Sequence, residues 1–237
     1  MVIEGKNAIL EALKADKTID KLLLQQGKDS LGRIFALARE KGIKVQFVTG
    51  KVLDRTSESG NHQGCIAYIS EFSYAEFDTL LEKKDSERFV IVCDGIQDVH
   101  NLGSIIRVAE CAGATGVVIA KNNAAQVTSA VMRTSAGAVN HLPIARVTNI
   151  NTAIEKLQQN GYWVYGLEAD GENIYGVNLQ GDIALVVGGE DKGLKALTRK
   201  TCDKILSIPL KGKITSLNAS VALAVVSYEK VRQSEKL

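Results

Sequence analysis

The sequence predicts an α/β protein in two blocks, a small one at the N-terminus and a larger one built on a mostly parallel sheet. Two patterns carry that prediction. Short apolar, β-branched runs alternate with segments of helical spacing along nearly the whole chain. The alternation lapses once, at residues 71–88, where 6 acidic residues face 3 basic ones. Residues 1–70 hold 11 basic and 8 acidic side chains, and residues 89–237 hold 15 and 13. The expected organisation is a domain at 1–70, an acidic linker at 71–88 with a short helix at 74–84, and a second domain at 89–237.

In the first block, Asn7–Lys14 has helical spacing through Ile9, Leu10 and Leu13. Ile19–Leu24 is a short apolar run, Leu31–Lys41 is helical, and Lys44–Val48 alternates as a strand. Cys65–Ile69 closes the block as a strand after the polar turn Ser57–Gly64. The second block has stronger strands: Phe89–Cys93, Gly116–Ala120, Trp163–Leu167, Ile183–Gly188 and Ile205–Pro209. Helices are expected at 103–112, 126–134, 151–160, 193–200 and 217–233. Apolar strands separated by helices imply a parallel sheet covered on both faces, with ligands outside the carboxyl ends of its strands.

Composition excludes several classes. A formal net charge of +2 argues against a heavily basic protein that coats nucleic acid, while leaving room for a local basic face. The longest stretch free of charged residues, Ile214–Tyr228, is shorter than the 18 or so residues a membrane span needs. The four cysteines show neither zinc spacing nor the density of a disulfide scaffold, so no metal is expected. Reduced thiols and the lack of a signal-type apolar core place the protein in the cytoplasm.

Three loops at expected strand ends carry polar chemistry. The first, Asp94–Arg107, leaves a strand and enters a helix near Asn101, which reads as its N-cap. Arg107 follows on the early turns of that helix, where a cation opposes the macrodipole unless an anion compensates. The second, Val187–Leu194, sets Glu190 among glycines that let backbone approach a ligand. It lacks both the dinucleotide fingerprint and the P-loop lysine. The third, Ile208–Ala222, places Ser216, Asn218 and Ser220 before a long apolar helix, and capping accounts for one of the three. Taken singly, each loop reads equally as an ordinary cap or turn; it is their conjunction that points to a site.

These residues resemble the SpoU-type RNA 2′-O-ribose methyltransferases of the SPOUT superfamily. Asn101–Arg107 (NLGSIIR), Gly188–Leu194 (GGEDKGL), then Ile208–Leu210 with Ser216–Ala222 (SLNASVA) match in order, and 136–143 (AGAVNHLP) extends the likeness. The first block is similar to the family's small RNA-binding domain, which is related to a ribosomal-protein fold, through Glu4–Leu13 and His62–Gly64. The combination is closest to enzymes that methylate a guanosine ribose of large-subunit ribosomal RNA. Transfer-RNA methylases share the motifs, and a non-catalytic RNA-binding relative is the other alternative. Val99 stands where the family usually has Pro, and Asp191 where it usually has Gly.

The resemblance implies a C-terminal domain threaded into a deep trefoil knot, a homodimer, and S-adenosylmethionine held by backbone groups of Gly188, Ile208 and Leu217. It implies catalytic roles for Asn101, Arg107, Glu190, Ser216 and Asn218, and RNA contacts from Lys6, His62, Gln63 and Arg107. Family accounts make the first-motif Arg a general base. A guanidinium stays protonated at any physiological pH, so Arg107 is better suited to hold a phosphate and stabilise a developing alkoxide. Glu190 would orient it.

Overall fold

The computed structural model describes residues 2–14, 17–69, 72–83, 86–189 and 193–235. The chain divides into two compact units, residues 1–73 with 126–129, and 74–125 with 130–237.

The first unit is a four-stranded sheet in the order β1-β4-β2-β3, from β1 (Val2–Glu4), β2 (Ile19–Gln25), β3 (Val45–Val48) and β4 (Cys65–Ile69). Strand β4 runs antiparallel to β1 and β2, while β2 and β3 are parallel. The apolar run in β2 is continuous because both faces are covered. Leu22 and Leu24 join Ile9 and Leu13 of α1 (Lys6–Lys14) and Ile34 and Ala38 of α2 (Gly32–Glu40). Leu23 points the other way, with Leu53 of α3 (Gly50–Thr56), Val48 and Ile66. Strand β1 and helix α3 had no counterpart among the expected elements.

The second unit is a six-stranded, all-parallel sheet in the order β10-β8-β9-β5-β6-β7. Its strands are β5 (Phe89–Asp94), β6 (Gly116–Ala120), β7 (Ile144–Val147), β8 (Trp163–Asn173), β9 (Ile183–Gly188) and β10 (Lys204–Ser207). Every residue of β5, β6 and β9 is buried, as a parallel sheet covered on both faces requires. Its helices are α4 (Val99–Cys111), α5 (Ser129–Thr134), α6 (Ile150–Gln159), α7 (Ala196–Thr201) and α8 (Ala219–Ser234). Ile154 and Leu157 of α6 pack on one face against Val90, Val92, Val118 and Val186, and α4 packs on α8. Strand β7, whose flanking turns hide a four-residue run, was not anticipated.

The acidic stretch packs onto this second unit instead of bridging open space. The helix expected at 74–84 is a single 3-10 turn, Phe77–Leu80. Ala75 pairs with the edge of the sheet, donating its N–H to the Ile144 carbonyl at 2.9 Å. Leu80 is buried against Gly116, where a Cβ would overlap its side chain. The Tyr162 hydroxyl donates to the Leu80 carbonyl at 2.6 Å. Arg88, 3% exposed, donates from Nε (3.0 Å) and Nη2 (2.6 Å) to Asp182 Oδ2, while its backbone N–H donates to Oδ1 at 2.7 Å. It also donates to the carbonyls of Leu81 and Asn160 and stacks on Tyr162.

One irregularity prepares the site. Strand β8 pairs with β10 through Tyr165 and Gly166, and pairing resumes only at Glu172 and Asn173. Residues 167–171 bulge out of the ladder. Gly171 closes the bulge: a Cβ there would fall 2.5 Å from the Ile205 carbonyl oxygen.

Candidate active site

The bulge, the end of β9 and the segment after β10 enclose a cleft of about 190 Å3. Gly188, Ile208, Ser216 and Leu217, named from the sequence, all line it, and Val187 and Leu206 give it apolar walls. Its floor requires glycine. A Cβ on Gly188 would overlap the backbone of Gly193, because residues 189 and 193 pair in an antiparallel bridge that brings the chain back on itself. Gly193 takes φ +61°, a conformation with little cost only for glycine. Glu190 and Asp191 lie outside the described residues.

A residue without a sequence motif holds this turn. Glu168, in the bulge, borders the cleft, accepts the Leu194 N–H on Oε1 at 2.6 Å and packs against Gly193. On the far side of the turn Asp94, 1% exposed, accepts the Lys195 N–H at 3.0 Å, and Lys195 Nζ lies 2.9 Å from its other oxygen. Neighbouring thiols are inert: burial, with Asp94 adding to it, pushes Cys93 up to about 12. Burial, Asp203 and Asp94 do the same to Cys202. Neither supplies a thiolate nucleophile at neutral pH.

Helix α4 begins earlier than expected, and its cap is Asp98. The Asp98 carboxylate accepts the N–H groups of His100 and Asn101, both at 2.8 Å. Val99 then occupies the first helical position, where a proline is favoured because that N–H has no helical partner anyway. Released from capping, the half-buried Asn101 side chain accepts the Asn218 Nδ2–H on Oδ1 at 2.9 Å. Asn218 is itself the cap of α8, its Oδ1 accepting from the Ser220 N–H (2.9 Å), the Val221 N–H (3.4 Å) and the Ser220 hydroxyl (2.7 Å). The first and third motifs are thereby joined by one hydrogen bond. Gly103 lets α4 settle on Thr134, whose Cβ would lie 2.6 Å from any Cβ built there. Arg107 stands exposed on α4 and makes no ion pair or hydrogen bond among the described residues.

Three of the four predicted RNA-contacting residues, Lys6, His62 and Gln63, lie in the first unit. Lys6 donates its backbone N–H to Gln63 Oε1 at 3.2 Å and its Nζ to Ser30 at 2.8 Å. Gln63 has φ +52°, and Lys28 lies against Gly64. Burial raises the Cys65 thiol to about 11, although the nearby Lys6 and Lys28 ammoniums pull against that shift. Glu4 holds the loop, accepting from the hydroxyls of Ser57 and Ser59, and these bonds lower its pKa to about 2. His62 has both ring nitrogens engaged, Nε2 with Asp54 and Nδ1 with the Gly64 N–H, each at 3.0 Å. Its hydrogen-bonding capacity is spent on shaping the loop.

The sequence model described as SpoU rRNA Methylase family matches residues 88–228, and the one described as RNA 2′-O ribose methyltransferase substrate binding matches 2–75. The chain belongs to the SpoU family of RNA methyltransferases. YacO of Bacillus subtilis (strain 168), grouped by name with the TrmH family tRNA/rRNA methyltransferases, is 40% identical over 236 residues, covering 97% of this chain and 94% of that protein. A relative of the same description from Staphylococcus saprophyticus is 39% identical over 239 residues, 98% and 96% of the two chains. Among solved structures, the SpoU methyltransferase AviRb from Streptomyces viridochromogenes, in complex with AdoMet, aligns with TM-score 0.63 at 22% identity. That alignment covers 98% of this chain and 89% of AviRb, and it shows the SpoU fold of both units. A crystal structure described as an RNA 2′-O ribose methyltransferase aligns with TM-score 0.60 at 26% identity, over 100% of this chain and 89% of the other.

Proposed function

We propose that the protein transfers a methyl group from S-adenosylmethionine to a ribose 2′-hydroxyl of RNA, with a guanosine of large-subunit ribosomal RNA as its target. The observation that carries this is the Asn218–Asn101 hydrogen bond, which ties the helix bearing Arg107 to the segment bordering the cleft. The cleft suits the donor: apolar walls, a floor that excludes a Cβ at Gly188, and Ile208 and Leu217 in the same lining. S-adenosylmethionine, when bound, supplies a methyl group made electrophilic by its sulfonium.

The chain's own residues then serve the attacking hydroxyl, which is a poor nucleophile until a base or a positive field activates it. Arg107 holds a substrate phosphate and stabilises the developing alkoxide, a role that its lack of an ion pair among the described residues leaves open to it. Asn101 orients the hydroxyl and Asn218 fixes Asn101. Ser216 lines the cleft beside the reacting group, and Glu190 orients Arg107 by its place in the second motif. The hydroxyl proton leaves to water. Lys6, Lys28 and Gln63 of the first unit engage RNA phosphate and base edges, with His62 holding the loop that presents them.

Within the same reading the C-terminal segment takes the family's knotted path and the enzyme acts as a cytoplasmic homodimer. Val221 and Tyr228, seven residues apart on α8 and each roughly half exposed, suit a subunit contact. The four cysteines are unpaired, which fits a reducing compartment. Transfer RNA is the second candidate substrate, because the relatives' names include it. The test is a tritiated-methyl transfer assay on purified ribosomal and transfer RNA, with mapping of 2′-O-methyl positions. Incorporation into ribosomal RNA at a guanosine supports the proposal. Incorporation into transfer RNA alone replaces the substrate, and none into either makes the protein a non-catalytic RNA binder. Arg107→Lys keeps the charge but loses the planar fork, so transfer should fall at least about tenfold. Near-full activity, or recovery of Arg107→Ala by high pH alone, would overturn the phosphate-holding role.

A further inference from the structure

Glu168 is the one ionisable side chain among the described residues that line the cleft, and no sequence motif marks it. Its Oε1 is committed to the Leu194 N–H, while Oε2 makes no hydrogen bond among the described residues. The bulge at 167–171, closed by Gly171, puts this residue on the cleft wall instead of in the ladder with β10. The remaining described lining is apolar side chains, glycine backbone and two hydroxyl side chains, Thr215 and Ser216. Arg199, ion-paired with Asp170, feels this carboxylate from outside the lining, and no described lining residue carries a counter-charge, so a negative field extends through the small cleft.

We infer that Glu168 is a specificity-determining residue that makes the cleft prefer the cationic methyl donor over the neutral product left after transfer. At neutral pH S-adenosylmethionine has a net charge of +1, from its sulfonium, and S-adenosylhomocysteine, otherwise nearly identical in shape, has none. A single negative charge among the described lining residues favours the ligand of net positive charge wherever the sulfonium sits. Its functional consequence is product release: the loss of the positive charge on methyl transfer removes an attraction and loosens the spent cofactor. The inference rests on the S-adenosylmethionine assignment above.

Glu168→Gln isolates the charge, because an amide oxygen can still accept the Leu194 N–H and the side chain keeps its size against Gly193. Titration calorimetry on the full-length protein would compare S-adenosylmethionine, S-adenosylhomocysteine and sinefungin, which carries an amine in place of the methyl sulfonium. The substitution should weaken both cationic ligands at least about tenfold, the effect expected of charges as much as about 12 Å apart at an effective dielectric of about 20. Affinity for S-adenosylhomocysteine should change less than about twofold. Parallel weakening of all three would mean that Glu168 acts through the loop or through the ribose they share, and would overturn the inference, as would no change at all. A second measurement does not depend on the variant folding. In the wild-type protein, raising ionic strength should narrow the preference for S-adenosylmethionine over S-adenosylhomocysteine, and a salt-independent ratio overturns the inference. Wild-type protein that binds none of the three ligands would remove the cofactor assignment itself, a result distinct from a failure of discrimination.

Discussion

Asn218 performs two tasks with two ends of one amide, and a pair of substitutions separates them. Its oxygen caps α8, and its Nδ2 donates to Asn101 across 117 residues of sequence. Asn218→Ala removes both. Loss of the cap costs about 1 kcal/mol, and loss of the inter-motif hydrogen bond about 1 kcal/mol more. For a domain of this size about 2 kcal/mol lowers the melting temperature by about 4–8 °C. Asn218→Asp keeps an acceptor at the cap, where the helix N-terminus favours a negative charge, so its melting temperature should stay within about 2 °C of wild type. It cannot donate to Asn101, however. The bridge then either breaks or survives only by Asn101 turning its amide over, which reverses the donor and acceptor offered to a substrate hydroxyl. Methyl transfer by Asn218→Asp should therefore fall at least about tenfold while the fold is unchanged.

Differential scanning calorimetry with a methyl-transfer assay at saturating RNA reads both effects. Adding Asn101→Ala completes a double-mutant cycle, in which a coupling of about 0.5–1.5 kcal/mol in stability belongs to the hydrogen bond alone. If Asn218→Asp transfers methyl groups at the wild-type rate, the polarity of the bridge has no part in the chemistry. If Asn218→Ala melts within about 1 °C of wild type, the cap does not stabilise α8 as argued.

Arg88→Lys gives up the planar grip on Asp182 and the bonds to the Leu81 and Asn160 carbonyls, and should cost about 3 kcal/mol in urea unfolding; a loss under about 1 kcal/mol would contradict it. Acid should weaken the anchoring of α8 in a defined window. Burial raises the Glu87 pKa, but Lys230, the Gly181 N–H and Ser234 outweigh it and hold the group at about 2, while Arg232, against the pull of burial, brings Glu229 to about 2 with help from Gln233. Both pKa values lie below their unfolded values, so the stabilisation is complete above about pH 4.5 and is lost as pH falls toward 2. Urea midpoints measured across that range should drop, and less steeply in Glu87→Gln. A fragment spanning 74–237 should unfold cooperatively, whereas one starting at Phe89 lacks Leu80 and Arg88 and should melt lower or not fold; circular dichroism melts that coincide would refute the structural role given to 74–88.

How legible each element was follows from how its residues are buried. Strands β5, β6 and β9 are covered on both faces and read as unbroken apolar runs, so their positions could be placed to within a residue or so. Strands β1 and β7 lie at sheet edges and have three and four residues, too few for a period to emerge. Helix α3 buries only Leu53 in a polar setting, so it left almost no amphipathic signal. The acidic stretch shows the limit of charge counting. Its six acidic residues, of which Glu76, Asp78 and Glu82 are exposed, suggested a linker, while Leu80 and Arg88, which are buried in its packing, each leave only one letter in the sequence.

The site divides along the same line. The loops that carry Gly188, Ile208, Ser216 and Leu217 were found because they stand at the ends of strands whose parallel arrangement was itself readable, and the resemblance then named Gly188, Ile208 and Leu217 within them; the cleft opens where such a sheet places it. Asn101 was found for a mistaken reason. Asp98 and Asn101 are both good capping residues three positions apart, and only the extended backbone at Asp98 (φ −78°, ψ 127°) decides that the earlier one caps. That outcome matters chemically, since it leaves the Asn101 oxygen to accept from Asn218 instead of from its own helix. Glu168 was out of reach in principle. Its place depends on five residues of β8 leaving register beside β10, a tertiary event signalled in sequence only by the small Gly171. The residues proposed to meet the donor through backbone groups were therefore open to motif reasoning, whereas the carboxylate on the cleft wall emerges only when two strands that are not consecutive in sequence are brought together.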